Sequence, residues 1–338
     1  MMGAHNVQRL ITHDGTFHAD EVLATVVLRT IFDEAELIRT RDPQILSTAG
    51  EESVLYDVGG AYDPDRNRFD HHQPGAPTRQ DGSPYSAFGL VWARYGAEYL
   101  ELIGVDADLI PGVQEGVDRS VVIGIDLLDN GALDPSSLGP AAGLTLPSLI
   151  GDLNPPYDAP EGAERVWFDV ALRLAGDLLV SRVKGTESSL RARREVLDAI
   201  EAGGTSPILE LPRGAPFRAA IREAGADHVL LVVHPRKTDW VVFTVSVEEG
   251  SYTRRLDLPG AWSGRSWRPR PGCRMRSSVT GPGSWRWRAP GTGRSGWRSW
   301  RWSRIRSRSR SDAAPRLARD EPGVRPVRSG PARPRQPQ

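Results

Sequence analysis

Histidine and aspartate gather at three places in this chain in a way that suits holding divalent metal and hydrolysing a phosphate ester. The first place is HDGTFHADE, which carries His13, Asp14, His18, Asp20 and Glu21. The second is Asp57, just ahead of Gly59 and Gly60, and the third is the triplet Asp70, His71, His72 after a polar turn at 63–68. A weaker fourth place, IDLLDNG, offers Asp126 and Asp129. Imidazole and carboxylate with no thiolate nearby suit Mn2+, Mg2+ or Fe2+ better than a structural zinc cage. Carboxylates drawn together repel unless a cation holds them. Side chains from several strand ends can hold two ions about 3.5–4 Å apart, a pair that activates a water and steadies both oxygens of an in-line displacement. A phosphate ester is the natural substrate, because its transition state gains negative charge for cations to neutralise. Singly, each residue has a plainer role: a strand-end histidine caps or faces solvent, Asp14 and Asp63 cap turns, and a glycine pair makes a tight turn. Four histidines and several aspartates at separate strand ends outweigh those roles.

The elements that must position these residues are legible in outline. VQRLIT (7–12) is a strand that runs straight into His13. Over 20–32, Val22, Leu23, Val26 and Val27 recur at helical spacing, and Asp20 and Glu21 suit the positive first turn. ELIRT (36–40) and SVLYDVGG (53–60) read as strands, 86–103 as a helix with Ser83 or Ser86 as its N-cap, and 112–128 as a further helix. Strand, helix, strand, strand with polar residues at the strand ends predicts an α/β fold whose site lies at the carboxyl edge of a parallel-rich sheet. The proline-rich LNPPYDAPEG (153–162) reads as a linker. Helices at 163–183 and 187–202 follow, then paired strands at 226–233 and 239–248 of a second, smaller α/β domain.

The chain has 338 residues and a net charge of zero, but the zero is an average of two unlike segments. From Arg265 onward there are 20 arginines against Asp312, Asp320 and Glu321, or +17; the remaining 23 basic and 40 acidic residues give −17. An acidic body is not a general nucleic-acid coat. Cys273 is the one cysteine, so no intrachain disulfide forms and a reducing compartment is expected. Neither a signal-type apolar run at the start nor a stretch of about 18 apolar residues is present, so a cytoplasmic protein off the membrane is expected.

HDGTFHADE, YDVGGAYDPDRNRFDHHQ and IDLLDNG together resemble the DHH phosphoesterase superfamily and, more narrowly, its branch typified by the melanocyte-proliferating-gene exonuclease. LNPPYD, the helical stretch after it and GSYTRRLDLPGAW (250–262) extend the resemblance over residues 8–262. It implies a metal-bearing catalytic domain at 8–150 and a substrate-holding α/β domain at 163–262. By motif, His13, His18 and Asp20 would be ligands of one metal, Asp57 a bridging ligand, and His71 a ligand of the second. Asp126 or Asp129 would complete the set, Asp126 being the better placed after its apolar run. Asp70 would orient a histidine, and His72 would contact the phosphate and protonate the leaving oxygen. In the wider superfamily the first motif has His, then two Asp; here His18 stands where the first Asp would, as it does across the narrower branch. Arg39 and Arg41 in IRTRDP, and Arg254 and Arg255 in SYTRRLDLP, are candidates for gripping non-reacting phosphates, though surface or salt-bridging roles suit them equally. The implied activity is that of a hydrolase: a 3′ to 5′ exonuclease on RNA or short oligonucleotides, using two Mn2+ with Mg2+ as the alternative. Hydrolysis of a small phosphate compound (pyrophosphate, a nucleotide or a cyclic dinucleotide) is the second reading. No protein partner is implied.

Residues 263–338 read as a disordered Arg-, Trp- and Pro-rich tail, which leaves the second domain truncated. WRWR, SWRW and RSRSRSR interleave aromatics with cations, so a third reading is a non-catalytic nucleic-acid-binding protein acting through this tail. The composition also fits a shifted reading frame from about Gly264. Seven of the ten tryptophans fall within 262–302, and only Lys184 and Lys237 among the basic residues are lysine, as in a G+C-rich gene. Back-translating Cys273 to Trp302 and reading from the last base of the Cys273 codon permits PDAVFCHRARFLAVARARDGALGLAELAL, which patterns as two strands and an amphipathic helix.

Overall fold

In the computed structural model of the chain, residues 7–237 and 239–258 are described, together with the strands Ser284–Arg288 and Trp297–Arg301. Met1–Ser263 forms one compact unit and Gly264–Gln338 another.

Three parallel strands form the heart of the first unit. β1 (Arg9–Thr12) lies between β2 (Glu36–Arg39) and β3 (Ser53–Tyr56), and β3 pairs in parallel with β5 (Arg68–Phe69). The short β4 (Tyr62–Asp63) closes the edge antiparallel to β5, giving the order β2-β1-β3-β5-β4. Alternation along the strands divides the apolar side chains between the two faces. Leu10, Val54 and Tyr56 join the main core beneath α1 (Ala19–Ile31) and α3 (Ala87–Leu102). Ile11 and Leu55 turn to the other face, under α2 (Pro43–Thr48) with its Ile45 and Leu46. Val22, Leu23, Val27 and Leu28 of α1 are buried at helical spacing; each such side chain contributes about 1.5–3 kcal/mol. The α/β class and the parallel-rich sheet are as expected, with the short α2 added between β2 and β3.

Two helical expectations change in detail. The run expected at 112–128 is α4 (Ile110–Val117), a wide π-type turn at Asp118–Val122, and α5 (Ile123–Asp129). After α6 (Leu146–Gly151), the segments expected at 163–183 and 187–202 are a single 41-residue helix, α7 (Ala163–Gly203). Its apolar period simply changes partner. Phe168, Ala171, Ala175, Leu179 and Val183 pack into the main core, whereas Val196, Leu197 and Ile200 pack into a second one. The main core therefore reaches past 150, and the change of core falls within a helix rather than at 153–162. The second core is completed by β6 (Ile208–Glu210), α8 (Arg218–Glu223), β7 (Leu231–Pro235) and β8 (Trp240–Thr244). There β6 and β7 are parallel and β7 and β8 antiparallel.

In the unit Gly264–Gln338, β9 (Ser284–Arg288) and β10 (Trp297–Arg301) pair antiparallel. Both strands carry tryptophan, a residue enriched in strands. The remainder of the tail lies outside the described residues, as does the expected domain limit at 262. Among the described residues no helix is long and apolar enough to cross a membrane.

Candidate metal centre

β1, β3 and β5 lie side by side and parallel, and each hands the chain directly to a residue of the cluster. His13 follows Thr12, Asp57 follows Tyr56, and Asp70 follows Phe69. Asp57 adopts φ 56°, a left-handed conformation that costs a non-glycine residue roughly 1–3 kcal/mol and is retained where the surroundings enforce it. Its Oδ2 lies 3.1 Å from His13 Nε2 and its Oδ1 3.2 Å from His71 Nε2. His13 Nδ1–H donates to the Asp14 carbonyl at 2.9 Å, which leaves Nε2 facing the cluster. His71 Nε2 is also 3.4 Å from Asp129 Oδ2 and 3.9 Å from Asp20 Oδ2. His18, Asp20 and Asp129 each bring one ligand atom within 4.8 Å of the others.

The electrostatics are those of an anionic cluster short of positive charge. Burial, then Asp57, Asp129 and Glu21, push the Asp20 carboxyl well above its usual range. Burial likewise raises Asp129, with Asp57 adding to it. Burial works against the His13 cation, but hydrogen bonds to Asp57 and Glu21 outweigh it and raise the imidazole to about 10. Asp57, although burial opposes it, is drawn below its usual range by His13 and His71. Both Asp20 oxygens are buried with no hydrogen-bond partner. A buried carboxylate without a donor is costly, and a bound cation would satisfy it.

The structure brings His13, His18, Asp20, Asp57, His71 and Asp129 together, and it takes Asp126 elsewhere. The preference for Asp126 over Asp129 is thereby corrected. Asp126 accepts Ser86 N at 3.0 Å, Ser86 Oγ at 2.7 Å and Arg79 Nη2 at 2.6 Å, so its oxygens are committed to a buried ion pair. The two aspartates sit three residues apart on α5, and only the neighbouring loops decide which one meets the cluster. Glu21 stands in the first motif, but sequence reasoning gave it no ligand role. Fully buried, it accepts His18 N at 2.8 Å and lies 3.3 Å from His13 Nε2, close enough to join His13, His18 and Asp57 around one ion. Its place beside Asp20 was the available signal.

Asp70 accepts four bonds: from Gly60 N at 2.5 Å, His71 N at 2.8 Å, His72 N at 3.2 Å and His72 Nδ1–H at 2.8 Å. His72 is thus oriented while most of its ring stays exposed. A cavity of about 390 Å3 opens over Asp57, His71 and Asp129, with His18, His72 and Arg41 on its walls. Arg39 does not line it. Its guanidinium lies 4.3 Å from the Phe168 ring and donates to the Gly15 carbonyl at 2.8 Å, bracing the loop between the two histidines of the first motif. Arg255 is tied to Asp227 and to the Ala226 and Val229 carbonyls, and Arg254 is exposed elsewhere on the surface. Asn154, from the proline-rich segment, takes Phe17 N at 2.9 Å and returns a bond to the Phe17 carbonyl at 2.8 Å, clamping the same loop.

Comparison with known proteins follows these motifs. Residues 9–267 match the family model of the MYG1 exonuclease, described as Uncharacterised protein family (UPF0160). A MYG1 protein of Schizosaccharomyces pombe is 30% identical over 286 residues, covering 77% of this chain and 86% of that one. The MYG1 exonuclease of Homo sapiens is 30% identical over 286 residues, covering 76% and 74%. Among solved structures, the pGpG-specific phosphodiesterase PggH from Vibrio cholerae overlaps 72% of this chain and 84% of that chain at 16% identity and a TM-score of 0.28. RecJ from Thermus thermophilus, in complex with Mn2+, overlaps 71% and 45% at 14% identity and a TM-score of 0.24.

Proposed function

Because the chain belongs to the MYG1 exonuclease family and is a phosphoesterase, we propose that it hydrolyses phosphodiesters with two divalent cations held at the ends of β1, β3 and β5. The observation that carries this reading is Asp57, whose two oxygens face two different imidazoles, 3.1 Å from His13 and 3.2 Å from His71. That is how a carboxylate shared by two ions would be disposed. The unpartnered Asp20 fits the same demand. His13, His18 and Asp20, with Glu21 beside them, would hold one ion; His71 and Asp129 would hold the other; Asp57 would touch both. The mixture of imidazole and carboxylate favours Mn2+, with Mg2+ as the alternative. When bound, the ions supply an activated water and neutralise charge developing on the phosphoryl oxygens. His72, its Nδ1–H tied to Asp70, turns Nε2 to the cavity and hands a proton to the leaving oxygen. Arg41, on the cavity wall, grips a non-reacting phosphate.

The cavity, about 390 Å3, is near the lower end of ligand pockets, which run about 300–1,000 Å3. It suits the end of a single strand better than a duplex, and the resemblance to the exonuclease branch adds the rest of the reading: a 3′ to 5′ exonuclease on RNA or short oligonucleotides. The acidic body, −17 before residue 265, favours a small phosphate compound as the second reading, because long polyanions are repelled. A short RNA labelled at either end, digested with Mn2+, separates these. Exonuclease action from the 3′ end releases a 3′ label as mononucleotide at once and shortens a 5′-labelled strand stepwise. Faster turnover of pyrophosphate or a cyclic dinucleotide than of any RNA supports the second reading instead.

A further inference from the structure

His71 offers Nε2 to Asp57 at 3.2 Å and to Asp129 at 3.4 Å, so its other nitrogen, Nδ1, points away from the cluster. That nitrogen lies 3.3 Å from Asn130 Oδ1. The orientation of the Asn130 amide follows from its remaining contacts. Its Nδ2 is 3.1 Å from the Tyr85 carbonyl and 2.9 Å from the Asp126 carbonyl, two acceptors that only an NH2 group satisfies. The amide oxygen is left for His71, and Nδ1 must carry the hydrogen that it accepts. We infer that Asn130 is a positioning residue: it fixes His71 as the Nδ1–H tautomer and frees the Nε2 lone pair for a divalent cation. The inference rests on the metal reading above, and it deepens that reading by naming what aims the ligand.

Asn130 is itself held by the ion pair that keeps Asp126 out of the cluster. Arg79 donates to Asp118 at 2.8 and 3.0 Å and to Asp126 at 2.6 Å, while Ser86 bonds the second Asp126 oxygen. This network pins the end of α5, and the Asp126 carbonyl there accepts the Asn130 amide. The ligand Asp129 and the positioning residue Asn130 are thus adjacent on one anchored helix end. Asp126 serves the site through this anchor, without touching an ion.

The test is Mn2+ affinity, measured by titration calorimetry on the whole chain and on two variants. Asn130→Ala removes both the acceptor and the donor; Asn130→Asp keeps an oxygen for His71 and removes the donor. Asn130→Ala should bind Mn2+ about 10–100-fold more weakly, the usual loss when a partner of a ligating histidine is removed, while Asn130→Asp stays within a few-fold of wild type. Equal loss in both variants would show that Asn130 only caps the helix, and unchanged affinity in Asn130→Ala would show that it aims nothing; either overturns the inference. A wild-type chain that takes up no Mn2+ would overturn the metal reading, and the inference with it. Should the variants fail to fold, 15N spectra of the Cd2+-loaded wild type decide: a bare Nδ1 on His71 overturns the assignment and a protonated one supports it.

Discussion

Asp57 carries one oxygen toward each of two imidazoles, and His72 stands over them from outside, so removing the two neighbouring histidines should have different consequences. His71→Ala should lose metal, because it deletes a ring 3.2 Å from the shared carboxylate. His72→Ala should keep metal and lose about 10²–10⁴-fold in turnover, the usual worth of a positioned general acid. Metal content by atomic absorption beside kcat checks both, and equal metal loss in the two variants would refute the division of labour. A second consequence concerns protons. His13 is raised from about 6.5 to about 10, so at pH 7 the metal-free protein holds it protonated. A cation needs the neutral ring, so Mn2+ uptake at that pH must release protons. Calorimetry in buffers of different ionisation enthalpy reads this directly, and a binding enthalpy indifferent to buffer would contradict it.

At the scale of elements, the centre depends on close approach between helices as much as on strand ends. Gly89 of α3 faces the Asp126 carboxylate so closely that a Cβ there would lie 2.4 Å from Oδ1. Gly89→Ala should therefore destabilise the protein by about 1–3 kcal/mol in urea denaturation, the range for overpacking a filled core, and weaken Mn2+ binding by disturbing the end of α5. Wild-type stability in that variant would show that the Asp126 anchor gives way freely. Two strand ends were legible because parallel strands deliver their last residues to one edge, and HDGTFHADE and Asp57 each sit just beyond an apolar run; the Asp70 triplet follows the polar turn 63–68, and the two-residue β5 ahead of it carries no apolar run to announce it. The α5 residues were not legible. Asp126 and Asp129 recur at helical spacing, and periodicity cannot tell which one Arg79 and Ser86, some 40 residues earlier, will engage. Glu21 was hidden by a sufficient local reason, its place in the first turn of α1. Arg39 looked like a phosphate grip because nothing in its own segment foretells Phe168, which α7 brings to it from far along the chain.

Over the whole molecule, an acidic body is joined to a strongly basic C-terminal segment, and the family match ends at residue 267, close to where the composition changes. We expect resequencing of the gene to find one base gained or lost near the codon for Gly264; an intact frame, confirmed by the mass of the protein, would refute this. The candidate centre lies upstream of that point, since Asp129 is the last of the residues grouped there that could hold an ion. Its chemistry can therefore be tested on the chain as it stands. The most direct measurement strips the purified protein with chelator, removes the chelator, and follows cleavage of a short labelled RNA before and after Mn2+ is returned. The account predicts no cleavage in the stripped protein and recovery on adding Mn2+, with a maximum near two ions bound per chain. Full cleavage in excess chelator would contradict it.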